Sequence, residues 1–290
     1  MQQLLQSLLK RPPQSHKNTF GHVFVIAGSP GLLGAATLCS VSALKIGAGL
    51  VTLGVPKSLY PVMQTKLTEV MLLILEETPE STFSYKARNK IMRFLEEKAD
   101  VVIIGPGLSL NPSTQKLVRF LVKNSPKNIV LDADGIKALK NNLDLLKRRK
   151  CKDIILTPHP GEFSYITGLD KKEIISNKEK IAKDFSQKYR VYLILKGHRT
   201  CLASPSQKIY INKTGNPGMA TAGAGDVLTG ILAGLLAQKP DYDIFELCKL
   251  GIFLHGLAGD LAKKIKTVLS LTASDIIEFI PQAIKKVLSE

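Results

Sequence analysis

The sequence predicts an α/β fold in which a mostly parallel sheet is covered by helices on both faces. Three observations predict it. Short apolar runs rich in β-branched residues recur, among them residues 23–27 (VFVIA), 100–104 (DVVII) and 191–195 (VYLIL), and unalternating runs of that length suit strands buried on both faces. Most of these runs end in a glycine-, proline- or aspartate-bearing turn, and segments with helical spacing alternate with them. The polar, glycine-rich stretches all fall after strands, at residues 28–34, 105–107, 132–134, 157–162, 196–200 and 223–226. In an open parallel sheet those strand ends face one crevice, where ligands bind.

The elements follow in order. Residues 1–14 (MQQLLQSLLKRPPQ) read as a short amphipathic helix, because Gln interrupts the apolar residues and no small-residue cleavage site follows. Residues 34–48 have helical spacing, 50–55 read as the second strand, 69–75 as another apolar run and 83–98 as an amphipathic helix. A helix is expected over 113–122, strands at 129–131 and 154–156, and a helix over 178–188. Leu202 and residues 209–211 suggest a hairpin, and two helices at 243–265 and 272–287 close the chain. No long linker, low-complexity tract or internal repeat interrupts this order, so residues 1–290 read as a single domain.

Composition narrows the classes of function. Lys and Arg number 40 against 24 Asp and Glu, a net charge of +16 with a pI near 9.6. That balance suits nucleic acid or a polyanionic small molecule. Trp is absent and aromatic residues are 6%, so stacking platforms are scarce and no nucleic-acid partner is expected. No apolar run reaches the ~18 residues of a membrane span, and no membrane partner is expected. Cys39, Cys151, Cys201 and Cys248 form no CxxC pair and have no His at ligand spacing. Neither disulfides nor a protein metal-ligand set is predicted, and isolated thiols without a secretory signal point to a cytoplasmic location. The cluster Lys147-Arg148-Arg149-Lys150 is expected in a solvated loop.

Residues 216–237 (NPGMATAGAGDVLTGILAGLLA) carry the strongest local signal. A glycine-rich loop turns directly into an apolar helix at Gly223-Ala224-Gly225-Asp226. Small residues let backbone approach a ligand closely, and a helix beginning there aims unpaired N–H groups and a positive dipole end at the same space. Asp226 stands at the rim, where a general base is useful. The same residues also make a plain glycine turn with a favoured helix-capping aspartate, and local pattern leaves both readings open.

Other strand-end residues carry similar alternatives. His159, between two prolines, suits a turn, and Lys196 suits a strand-end surface position. Asp132 and Asp134 can hold Mg²⁺ through nucleotide phosphates or cap the following helix, and capping is the preferred reading. Glu162 suits a metal-bound water or a first-turn helix carboxylate. His16, His22 and His255 receive no role, and His198 only a place in the loop 196–200.

Seven stretches, taken in order, resemble the NAD(P)H-hydrate dehydratases, the carbohydrate kinase-like repair enzymes. They are HKNTFGHVFVIAGSPGLLGAATL, SALKIGAGLVTL, IIGPGL, VLDADGI, LTPHPGEF, LKGHRT and TGNPGMATAGAGDVLTGILAG, spanning residues 16–234, and Leu254-His255-Gly256 also fits. The resemblance implies a ribokinase-like three-layer αβα sandwich. It implies nucleotide-dependent dehydration of hydrated NADH or NADPH (the S epimer), ADP giving AMP and phosphate, as metabolite repair. Asp226 matches the base. Gly223, Ala224 and Gly225 match the anion hole. Ala35, Ala36, Gly107, His159 and Asp226 match positions facing the hydrated dinucleotide. Lys196, Gly197, His198, Arg199 and Thr200, with Gly225, match the site of the AMP moiety. The resemblance further implies ADP or ATP as co-substrate with Mg²⁺, a homotetramer, and a separate NAD(P)H-hydrate epimerase as functional partner.

Two departures stand out. The family's turn is closer to Gly-Gly-Thr-Gly-Asp, whereas this chain has Ala222-Gly223-Ala224-Gly225-Asp226, which removes a hydroxyl at Ala224 and keeps its N–H. The epimerase domain often fused upstream has no counterpart before the match, so this chain is not expected to epimerise by itself. Two other classes compete: a kinase of the same fold acting on a thiazole alcohol or pyridoxal, and a non-catalytic nucleotide- or nucleic-acid-binding protein. The glycine turn with Asp226 fits the kinase equally, while LTPHPGEF, LKGHRT and the opening SHKNTFGHVFVIAGS favour the dehydratase.

Overall fold

The computed structural model describes residues 1–238 and 242–289. After α1 (Gln2–Leu9), strands and helices alternate through β1 (His22–Ile26), α2 (Leu33–Lys45), β2 (Leu50–Pro56), α3 (Tyr60–Lys66), β3 (Met71–Leu75), α4 (Arg88–Glu97), β4 (Val101–Ile104), α5 (Pro112–Asn124) and β5 (Asn128–Leu131). The chain continues through α6 (Ala133–Lys137), β6 (Ile154–Leu156), α7 (Pro160–Thr167), α8 (Lys171–Ser176), α9 (Lys178–Tyr189) and β7 (Tyr192–Leu195). It ends with β8 (Cys201–Ala203), β9 (Ile209–Ile211), α10 (Ala224–Gln238), α11 (Ile244–Ser270), α12 (Ala273–Glu278) and α13 (Ile280–Ser289).

The strands form one sheet in the order β3-β2-β1-β4-β5-β6-β7-β8-β9. Pairing is parallel from β3 through β7, and β8 and β9 add the expected antiparallel hairpin. Because successive side chains point to opposite faces, Val23 and Val25 of β1 enter one core while Phe24 and Ile26 enter the other. The first core is covered by α1, α2, α3 and α10 to α13, the second by α4 to α9. Both faces of the central strands are therefore dry, which explains runs without alternation. The strand order reverses between β1 and β4, a switch point where loops part and leave a crevice.

Several sequence expectations are corrected. The helix expected over 83–98 is α4 alone, after a 3₁₀ turn at Tyr85–Ala87. Phe83 is instead held by a bridge to Glu77, and Thr114 Oγ1 donates to its carbonyl at 2.7 Å. The last expected helix is two, α12 and α13, with Pro281 beside the break; proline has no N–H to continue the preceding ladder. Helices α7 and α8 fall where no helix was expected. Within the basic cluster 147–150, Arg149 is no solvated residue: its guanidinium donates to the carbonyls of Leu146, Lys152, Tyr189 and Arg190, closing the end of α9. All four cysteines are free and buried, and among the described residues no helix is long and apolar enough to cross a membrane.

Helix α10 lies against α2 at backbone distance. A Cβ at Gly230 would stand 2.0 Å from Ser42 Oγ and 2.2 Å from the Cys39 carbonyl oxygen. One at Gly234 would stand 2.4 Å from Ile46 Cγ2. Glycine at these positions sets how deeply α10 sits, and hence where its N-terminus opens. Gly230→Ala is expected to destabilise the fold by about 2–3 kcal/mol through overpacking, read as a lowered urea midpoint at unchanged m-value.

Candidate active site

The crevice is built from strand-end loops stitched to one another. After β1 and β4, the Gly28 N–H donates to the Pro106 carbonyl at 2.8 Å, and Ser29 Oγ to the Gly107 carbonyl at 2.8 Å. Gly107 has φ +62, and a Cβ there would lie 2.9 Å from Leu32 Cβ and 3.3 Å from Ala35 Cβ. The start of α2 and the β4 loop therefore touch. Ala35 is half-buried beside Gly107, but Ala36 is fully buried beneath Gly28. The Ala36 side chain belongs to the packing under the loop.

Gly223 leads into α10 at φ +89, against Leu38 and Ala273. Ala224, Gly225 and Asp226 form the first turn of α10. Among the described residues no protein acceptor takes the N–H of Gly225 or Asp226, and that of Ala224 makes only a long 3.4 Å bond to the Thr221 carbonyl. These are the free donors of a helix N-terminus.

Lys196, at the end of β7, reaches across to Asp132, at the end of β5, with Nζ to Oδ1 at 2.8 Å. The Asp132 carboxyl is 1% exposed and the lysine side chain 16%, so Lys196 is no surface residue. Thr229 Oγ1 of α10 contacts the second oxygen of Asp132 at 2.8 Å and the Gly225 carbonyl at 3.1 Å. The expected capping by Asp132 and Asp134 is corrected. Asp132 makes no side-chain cap, because both its oxygens are taken. Asp134 accepts from the Ser109 N–H at 2.9 Å and pairs with Lys137 at 3.0 Å. A Cβ at position 225 would stand 3.1 Å from Lys196 Nζ, so glycine lets the ammonium lie against the helix start.

Asp226 is half-buried beside this pair. Burial pushes its carboxyl up to about 7, the Asp132 carboxylate adds to the rise, the Lys196 ammonium opposes it, and Glu162 adds a further push. Burial alone would lower the Lys196 ammonium, but Asp132, Glu162 and Asp226 together hold it above its ordinary value. The site thus keeps one fixed cation and one carboxyl poised near neutrality.

His159 stands at the start of α7 with an exposed ring. Its Nδ1 accepts from the Gly161 and Glu162 N–H groups at 3.0 and 3.1 Å, while Glu162 Oε2 accepts the His159 N–H at 2.9 Å. The turn reading of His159 and the first-turn reading of Glu162 both describe this reciprocal cap. The loop of Gly197, His198, Arg199 and Thr200 is drawn to the same end of the sheet by Lys196, whose N–H donates to the Pro158 carbonyl at 2.8 Å. Lys178 Nζ donates to the His198 carbonyl at 2.9 Å, and Arg199 adopts φ +53. Gly197, His198 and Arg199 are exposed.

The pattern reading missed three contributors. His255 Nε2 lies 2.9 Å from the Ala224 carbonyl, Thr229 bridges Asp132 to α10, and Asp260 accepts from the Gly215 N–H and Asn216 Nδ2 at 2.8 and 3.0 Å. Leu254-His255-Gly256 was the one available signal. A separate cavity of about 530 Å³ lies between α7, α8 and α9, floored by Phe163, Ile181 and Phe185. None of the expected site residues lines it.

Fold and site together define a ribokinase-like αβα protein with the free N–H groups of a helix N-terminus at the strand-end crevice. A family model described as NAD(P)H-hydrate dehydratase matches residues 23–282, and the chain belongs to that family. The bifunctional NAD(P)H-hydrate repair enzyme Nnr of Moorella thermoacetica is 41% identical over 285 residues, 98% of this chain and 53% of that protein. This chain thus spans about half the length of such bifunctional relatives. The ADP-dependent (S)-NAD(P)H-hydrate dehydratase of Bacillus subtilis is 30% identical, covering 97% of this chain and 95% of that one. A crystal structure of the Bacillus subtilis ADP/ATP-dependent enzyme, co-crystallized with ATP/Mg²⁺, superposes with a TM-score of 0.83 at 27% identity, covering 99% and 97% of the two chains.

The raised carboxyl of Asp226 has a consequence for stability. Its folded value, about 7, lies above the ordinary 3.8. Ionisation therefore penalises the folded state increasingly as pH rises from 3.8 towards 7, and by a constant amount above that. Asp226→Asn is expected to raise Tm relative to the wild type at pH 8 and to leave it nearly unchanged at pH 4, read by thermal melts at both pH values.

Proposed function

We propose that this chain dehydrates the S epimer of hydrated NADH and NADPH at the expense of ADP, releasing AMP and phosphate. The observation that carries the reading is a carboxyl poised near 7 on the first turn of a helix whose leading N–H groups are free. The names of the Bacillus subtilis relatives support the same substrate and nucleotide class.

The chemistry follows from those groups. A ring hydroxyl is a poor leaving group and a phosphate ester a good one. Asp226, ionised, takes the hydroxyl proton as the oxygen attacks the β-phosphorus of ADP and AMP departs. The N–H groups of Gly223, Ala224 and Gly225 stabilise the charge on the phosphoryl oxygens. Loss of phosphate, pushed by the ring nitrogen, and of a ring proton then restores the dihydronicotinamide. Lys196 and the loop of Gly197, His198, Arg199 and Thr200 hold the AMP moiety, while Ala35, Gly107 and His159 face the dinucleotide. The absent hydroxyl at Ala224 leaves backbone donors as the whole of the anion hole.

A Mg²⁺ ion bound to the nucleotide would neutralise phosphate charge. The carboxylates here do not form a cage for it. Asp132 is held by Lys196 and Thr229, Asp134 by Lys137 and the Ser109 N–H, and Glu162 by the His159 cap. Among the described residues no three His, Cys, Asp or Glu side chains gather as a ligand set. The same reading includes a homotetramer in the cytoplasm, supplied with S hydrate by an epimerase.

In an assay that follows return of NADH absorbance from hydrated NADH, ADP is expected to support turnover with one phosphate released per NADH. A stable phosphorylated product without return of absorbance would instead indicate a kinase. Asp226→Asn should lose at least about a hundredfold in kcat while ADP binding by calorimetry persists; full activity removes Asp226 as the base. For the wild type, kcat/KM should fall on the acid side of a pH near 7, because only the ionised carboxyl accepts the proton. A profile flat from pH 5 to 8 would exclude that assignment.

A further inference from the structure

Helix α11 does more than cover the first core. It holds the approach to the catalytic turn from behind. Phe253 accepts from Thr214 Oγ1 at 2.9 Å, Asp260 binds Gly215 and Asn216, and His255 reaches the first residue of α10. The His255 contact is the informative one. Its partner is a carbonyl oxygen, which only accepts, so Nε2 carries the hydrogen at 2.9 Å from Ala224 O. Burial lowers the imidazole to about 4 against the opposing pull of the Ala224 bond, and Lys196 lowers it further. The ring is therefore a neutral donor throughout the working pH range.

The Ala224 carbonyl and the Gly225 N–H belong to one peptide unit. In a helix the carbonyl points along the axis towards the C-terminus, and the N–H points the other way, out of the N-terminus. A hydrogen bond donated to one end of a peptide polarises the other and makes its N–H a stronger donor. The same bond fixes the plane of that peptide, and hence the direction of the N–H. We infer that His255 is a positioning residue for the anion hole: its Nε2–H, bonded to the Ala224 carbonyl, orients and polarises the Gly225 N–H toward the phosphoryl group. The inference rests on the reading of Gly225 as part of that hole. His255 touches neither substrate nor nucleotide in this arrangement; it acts through the peptide. With no hydroxyl at Ala224, the strength of the backbone donors carries more of the charge stabilisation.

The test compares His255→Phe, which keeps a ring and removes the donor, with His255→Gln, whose side-chain N–H reaches about as far as Nε2. His255→Phe is expected to lower kcat about tenfold while leaving KM for ADP within about twofold, because the bond serves the transition state. In the ligand-free protein its Gly225 amide proton resonance should shift upfield. His255→Gln should recover most of the rate and return the Gly225 resonance. An unchanged kcat in His255→Phe overturns the inference, and so does a lost kcat with Gly225 unmoved or unrescued by Gln. The Gly225 resonance needs no turnover, so a wild type without dehydratase activity defeats the proposed reaction while the positioning role is still decided. If His255→Phe does not fold, the imidazole ¹⁵N shifts of the wild type decide: a protonated Nε2 supports the role, and a protonated Nδ1 overturns it.

Discussion

The ion pair between Lys196 and Asp132 is the interaction on which the crevice depends. It joins the ends of β7 and β5, and Thr229 extends it to α10. Burying two charges costs desolvation that their attraction only partly returns, so such a pair is weak evidence for net stability. Its value lies in arrangement. Removing either partner would leave the other charge buried and uncompensated, a cost of about 3–5 kcal/mol. The pair thus resists rearrangement of three elements at once, and it presents its charges to Asp226 at fixed positions.

Two kinds of constraint locate the glycine turn at the start of α10. Gly230 and Gly234 set the depth of α10 on α2, because any side chain there would meet backbone or Ser42. Asp132, through Thr229, and His255, through the Ala224 carbonyl, restrain its rotation. A helix N-terminus binds anions only where its free N–H groups face the ligand space. Packing that admits no sliding turns a general property of helices into a specific site.

Much of the fold was legible in the sequence because every central strand is buried on both faces and reads as a short apolar run. Gly223 to Asp226 stood out in the sequence because small residues and a carboxylate lie side by side at the start of an apolar helix. What was not legible is long-range. Asp132 and Lys196 are 64 residues apart, and an aspartate before a helix looks locally like a cap. His255 sits inside a helix whose sequence shows only apolar spacing, so its reach to Ala224 follows from how α11 packs on α10. Ala36 was placed at the crevice by resemblance alone, and its small side chain lies beneath Gly28. Helices α7 and α8 were hidden by their shortness and by the prolines and glycine at 158–161. The alternatives for Asp132 and Lys196 are settled by partners distant in the chain, and those for His159 and Glu162 by their own reciprocal cap.

The electrostatic state of Asp226 is central to the proposed chemistry, and a ¹³C titration of its side-chain carboxyl in the ligand-free protein tests it directly. The wild-type carboxyl should titrate near 7, lower in Asp132→Asn, which removes a repelling charge, and higher in Lys196→Met, which removes an attracting one. A value near 3.8 that ignores both substitutions would contradict the claim that the Lys196–Asp132 pair and burial set this carboxyl for its role.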